Sequence, residues 1–150
     1  DFLPASPTLV ENVQNAIDPP PNQGLGLGLA PIGAKVTVAA PTELTVNVSA
    51  TLMLAAGYAI GQVQEPVEQA IEAYLLSVRQ EWDTNTSSTA VSYAADVYVA
   101  RITAAIVGVT GVVNATNVQL NGGTADLILT ETGETQQVPV IGTVTLSESN

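Results

Sequence analysis

The chain of 150 residues contains no cysteine and no histidine, and only three basic residues stand against 14 acids. Without cysteine there can be no disulfide, thiolate nucleophile or cysteine metal site, and the chain suits a reducing cytoplasm and an extracellular particle equally. Without histidine it lacks the side chain used most often as general base and as metal ligand. A serine nucleophile would need a substitute base, and Lys35, the single lysine, is set beside no serine by any motif. Neither G-x-S-x-G nor a Walker-type run occurs. Nothing therefore nominates a catalytic residue, a metal ligand, a cofactor site or a small-molecule substrate. A net charge of −11 repels phosphates and anionic lipid, which argues against nucleic acid and membrane as partners. The acidity reads first as solubility and second as a surface for a basic partner. One Phe and one Trp leave few rings for a carbohydrate-binding site. No apolar run reaches the ~18 residues of a membrane span, and no basic-then-apolar leader opens the chain. Its opening at Asp1 without Met is expected of a fragment or a processed product.

What is present is aliphatic, rich in Val, Ala, Leu, Thr and Asn, as a globular domain requires. Pro7 to Ile17 reads as a helix, with Ser6 as N-cap and Leu9, Val10, Val13 and Ile17 on one face. Asp18-Pro19-Pro20-Pro21 ends it. The alternating Gly24-Leu25-Gly26-Leu27-Gly28-Leu29 follows as an irregular connection or extended arm. Strands are expected over Lys35 to Ala39 and Leu44 to Leu54. In the second, Leu44, Val46, Val48, Ala50, Leu52 and Leu54 point inward at a period of two. The strongest helix runs from about Ile60 to Trp82 through Val63, Val67, Ile71, Leu75 and Val78, with Pro66 near its start. A polar loop covers Asp83 to Ala90, and a shorter helix covers Ala100 to Val107. Strands then follow at Val112 to Leu120, Ala125 to Thr130 and Gly142 to Leu146, with a turn at Asn121-Gly122-Gly123. The expected class is α+β, a largely antiparallel sheet with helices packed on one face. One domain is expected, residues 1–33 forming the leading helix and connection and residues 34–150 the core.

Several patterns invite chemistry and are answered by simpler readings. The dinucleotide fingerprint needs G-x-G-x-x-G between a strand and a helix, whereas the glycine run places Leu29 or Pro31 at the last position and lies between a helix and a strand. Glu65, Glu68 and Glu72 recur three and four apart, as a cation-attracting cluster would or as a solvated helix face commonly does. Asp126, Glu131 and Glu134 flank a hairpin, where acids usually face water. Triplets beginning at Asn47, Asn85 and Asn114 fit the glycosylation motif, which matters only in a eukaryotic secretory pathway. Leu25, Leu27 and Leu29 either fold back over a core or insert into a partner. Tyr93 and Tyr98 are either core residues or half-exposed contacts. These five are the candidate partner-contact residues.

Three blocks carry a family resemblance. Pro4-Ala-Ser-Pro-Thr-Leu-Val-Glu-Asn-Val-Gln-Asn-Ala-Ile-Asp-Pro resembles the helix leading into the C-terminal region of baseplate J-like proteins. Gly26 to Val38 followed by Pro41-Thr-Glu-Leu-Thr-Val-Asn-Val resembles the next block. Ile102 through Gly122, then Val138-Pro-Val-Ile-Gly-Thr-Val-Thr-Leu, resembles the closing hairpins, and the blocks are collinear over nearly the whole chain. The resemblance implies the C-terminal domain of a longer phage tail baseplate protein, of the Mu-like or defective-prophage type. It implies docking with neighbouring wedge and tail proteins, no catalytic residues, and a place in the virion after assembly in the bacterial cytoplasm. The competing expectation is a surface adhesin or carbohydrate-binding module.

Overall fold

A computed structural model describes residues 2–81, 86–87, 90–91, 96–132 and 135–149. The chain divides into two compact units, Leu3–Thr42 and Glu43–Asn150.

The first unit is built on helix α1 (Pro7–Ile17), with Pro7 at its first position and Ser6 Oγ accepting from Leu9 N at 3.3 Å. No residue of α1 is buried, and Leu9 and Val13 of its apolar stripe are exposed. What holds this unit together is polar. Asp18, only 1% exposed, accepts from Gly24 N through Oδ1 at 2.8 Å and from Val36 N through Oδ2 at 2.9 Å. Gln14 donates to Asp18 O and Val36 O and accepts from Val38 N. The strand expected over Lys35–Ala39 is consequently not formed, because Asp18 and Gln14 take the backbone groups of Val36 and Val38 that a neighbouring strand would need.

The second unit is α+β and holds the apolar core. Strand β1 (Thr42–Leu54) buries Val46, Val48, Ala50 and Leu52 on one face and exposes Thr45 and Asn47 on the other, the expected alternation. Helix α2 (Ile60–Gln80) contributes Val63, Val67, Ile71, Leu75 and Val78 to the core. Pro66 lies a turn deeper than expected, six residues after Ile60. It is exposed, so water can reach the Gln62 carbonyl that loses its amide partner. Strands β2 (Thr86–Ser87) and β3 (Ala90–Val91) form a small antiparallel pair. Helix α3 (Val99–Val107) buries Ile102 and Ile106. Strands β4 (Val112–Leu120) and β5 (Gln137–Glu148) complete a three-stranded sheet in the order β4-β1-β5. Helix α2 packs on β5, α3 on β4, and the two helices on each other.

β4 runs antiparallel to β1, with Val48 opposite Leu120 and Leu52 opposite Ala115. β5 runs parallel to it: Thr143 N meets Asn47 Oδ1, Ser147 Oγ meets Ala50 O, and Ser149 N meets Leu52 O, rising together along both strands. The largely antiparallel sheet expected from the sequence is therefore a mixed one. The reason is a crossover. After β4 the chain turns at Asn121-Gly122, both at positive φ as a tight two-residue turn demands, but it then leaves the sheet. It makes only a bridge from Leu127 to Val97 where a strand was expected, and returns as β5 on the far side of β1. Among the described residues no helix is long and apolar enough to cross a membrane.

Candidate interaction surface

The glycine and leucine alternation of the first unit resolves into two sides. Leu29 N and Ala30 N donate to Ala16 O and Ile17 O, so the loop folds back onto the carbonyl end of α1 and satisfies groups a helix C-terminus leaves open. A Cβ at Gly28 would collide with Ile17 O, and one at Gly26 would lie 2.6 Å from Ile32 Cγ1. Gly24 and Gly26 also sit at positive φ. Glycine is thus required on the inner side, and the interleaved leucines turn outward: Leu25, Leu27 and Leu29 are 59%, 65% and 83% exposed, with Ile32 exposed beside them. They do not fold back over a core, since Ala30 is the only buried apolar residue described in this unit.

Of the two tyrosines, Tyr98 is half-exposed at the start of α3, where its backbone N–H donates to Tyr74 Oη at 3.1 Å. Burial raises the Tyr74 phenol above its ordinary pKa. Tyr93 lies outside the described residues. Tyr98 belongs to the second unit and the three leucines to the first.

The acids on α2 have ordinary partners. Glu65 accepts from Gln69, Glu68 from Gln64, and Glu72 pairs with Arg79. Arg79, buried, also donates through Nη1 to Pro139 O at 2.8 Å, which ties α2 to the start of β5. Among the described residues no group of acids is arranged to hold a metal ion. Asp126 does more than face water, since it accepts from Val99 N at 2.7 Å and caps α3 from a distant loop. Glu134 lies outside the described residues.

Two structural residues were not anticipated. Asp18 announced itself only as a helix-ending residue before prolines, and the partners of its carboxylate lie up to 18 positions away. Asn47 carried only a glycosylation triplet, yet its Oδ1 accepts from Thr143 N while its N–H donates to Asn121 Oδ1, which ties all three strands at one level.

A depression of about 620 Å³ lies between α2 and β5, lined among others by Glu68, Glu72, Ala73, Ile141 and Val144.

The model of the baseplate J-like protein C-terminal domain matches residues 46–147, all within the second unit. Over 145 residues the chain is 28% identical to the phage-like element PBSX protein XkdT of Bacillus subtilis (strain 168), a match covering 97% of this chain and 36% of that protein. Over 68 residues it is 41% identical to the uncharacterized protein YqbT of the same organism, covering 45% of this chain and 19% of that one. The chain thus spans little more than a third of the length of XkdT. With the family model spanning most of its length, the chain belongs to the baseplate J-like family, and residues 46–147 are its C-terminal domain.

Proposed function

We propose that this chain is a non-catalytic structural domain of a phage-type contractile tail baseplate, the C-terminal part of a longer protein, which docks with neighbouring wedge and tail proteins. Family membership and the likeness to a phage-like element protein support this reading. In this reading the protein assembles in the bacterial cytoplasm and ends in the tail of the particle. Strand β1 buries Val46 and Val48 against the core and turns polar Thr45 and Asn47 outward.

The observation that carries the docking role is the preformed leucine display. Three leucines and Ile32 stand exposed on a segment whose backbone is fixed by Asp18, Gln14 and the end of α1. Exposed apolar groups on a mobile arm lose part of their binding energy to ordering, and a preorganised loop avoids that loss. Leu25, Leu27 and Leu29 are therefore the primary contact residues, with Tyr98 and Tyr93 as secondary ones.

The test is co-expression of the chain with its neighbouring tail-gene products, read as co-purification and complex mass by light scattering. A defined complex that Leu27→Asp weakens, while the isolated variant melts like the parent, is expected. A complex indifferent to that change removes the leucine loop from the interface, and no complex with any neighbour overturns the docking role for this part of the protein.

A further inference from the structure

We propose that the groove between α2 and the outer edge of β5 receives an extended basic segment of a partner protein, added as a further strand beside β5. Three observations carry this.

The first is the edge. β5 is twelve residues long and ends the sheet, with no described strand on its far side. Thr143 N and Ser149 N point toward β1, so by the alternation of a strand Val144 and Leu146 direct their backbone groups away from it. A long open edge is a template for another strand unless it is blunted.

The second is how that edge is met. Gln64 Nε2 donates to Val144 O at 2.9 Å and Arg79 Nη1 to Pro139 O at 2.8 Å. The Gln64 amide of α2 thus stands where an amide of a neighbouring strand would stand, at one end of a stretch that opens onto the groove, while Arg79 tethers α2 near the start of β5. Ala73, Ile141 and Val144 are among the groove's lining and give it apolar surface, which suits the alternate side chains of an added strand.

The third is charge. Glu68 and Glu72 flank the groove, and the one described cation beside them, Arg79, is already paired with Glu72 on a chain of net charge −11. A lysine or arginine on the added strand meets Glu68, whose carboxylate among the described residues accepts from the neutral Gln64 amide. The same charge speaks against a second copy of this chain, which would set Glu68 and Glu72 against their own counterparts.

The proposal rests on the docking function above only for the owner of the segment, and the groove itself is tested with peptides. The probe is a fluorescein-labelled nonapeptide alternating Lys and Val, titrated with the full chain and read by fluorescence anisotropy. Its comparators are the Glu/Val peptide and a Lys/Val peptide with alternate backbone amides N-methylated. About tenfold tighter binding of Lys/Val than of either comparator is expected, since one carries repulsive charge and the other cannot pair as a strand. Glu68→Lys is expected to weaken Lys/Val binding by about tenfold, whereas Glu65→Lys, on the same helix but outside the groove, changes it by only about twofold. Equal loss from the two variants means diffuse attraction to an acidic protein and overturns the proposal. So do N-methylated peptides that bind as well as the parent, and so does a dimer of the unliganded chain in sedimentation that Glu68→Lys alters. Leu27→Asp leaves peptide binding unchanged, so failure of the groove and failure of the leucine loop are told apart.

Discussion

Replacing Asp18 should dissolve the first unit and leave the second intact. Its two carboxylate oxygens each accept one backbone N–H, from Gly24 and Val36, inside a side chain that solvent barely reaches. Hydrogen bonds to a buried charged group contribute about 1.5–3 kcal/mol each, so Asp18→Ala forfeits about 3–6 kcal/mol. A unit of about 40 residues at ordinary stability per residue holds only about 2–6 kcal/mol, and this one has no apolar core to raise the figure. Asp18→Asn is the sharper variant, because its amide NH2 must face one of the two N–H groups and replaces a bond with a donor–donor contact. Hydrogen exchange followed by NMR reads the outcome. Protection at Gly24, Ala30 and Val36 should fall about a hundredfold or more, since 1.4 kcal/mol corresponds to tenfold. The thermal unfolding of the second unit should not move. Retained protection at those amides in both variants would refute the claim that the carboxylate holds the loop, and with it the account of how the leucines are presented.

Other outcomes are expected from the second unit. Ile71→Ala empties a fully buried site of the core and should cost about 2–5 kcal/mol, read as the midpoint of urea unfolding; a loss below 1 kcal/mol would mean that α2 is not seated as described. Gly142→Ala places a Cβ against Asn47 Oδ1 and 2.7 Å from Thr45 Cγ2 and should cost about 1–3 kcal/mol. Combined with Asn47→Ala it should cost clearly less than the sum of the two single changes, because they share one contact; strict additivity would dissolve the three-strand latch. Tyr74 has a folded pKa raised above 10.0 by burial, so the folded state favours the protonated phenol. Its contribution is fully present below pH 10 and is lost as pH rises through the folded value. Unfolding free energy measured across that range should fall more steeply for the parent than for Tyr74→Phe, and equal slopes would contradict the assignment.

The parts of the fold legible in the sequence were those whose signal is local. The period of two through Val46, Val48, Ala50 and Leu52, and the three-and-four spacing from Val63 to Val78, survive folding because each element buries one face against the same core. The turn at Asn121-Gly122 was legible for the same reason, since it needs positive φ at adjacent positions. What failed depended on partners far along the chain. Val36 and Val38 alternate like a strand, but Asp18 and Gln14, 18 to 24 residues upstream, claim their backbone groups. Strand order and direction were equally hidden, because nothing in Gln137–Glu148 states that it crosses β1 to run parallel with it. At the candidate surface the glycine and leucine period was visible, but its meaning required the approach of the loop to Ile17 O.

The contact chemistry also separates along the chain. Between Leu3 and Thr42 the charged residues are Glu11, Asp18 and Lys35, and the Asp18 carboxylate is turned inward, so the exposed leucines stand in a nearly neutral setting. From Glu43 onward the chain carries most of the acids and only Arg79 and Arg101 to offset them. Attraction between apolar surfaces is indifferent to ionic strength at physiological levels, whereas contacts steered by a net negative surface weaken with salt. If both surfaces serve assembly, raising salt should release a basic segment from the β5 groove while contacts through Leu25, Leu27 and Leu29 persist. A complex lost entirely at moderate salt would leave the leucines without a role, and one wholly insensitive to salt would leave Glu68 without one.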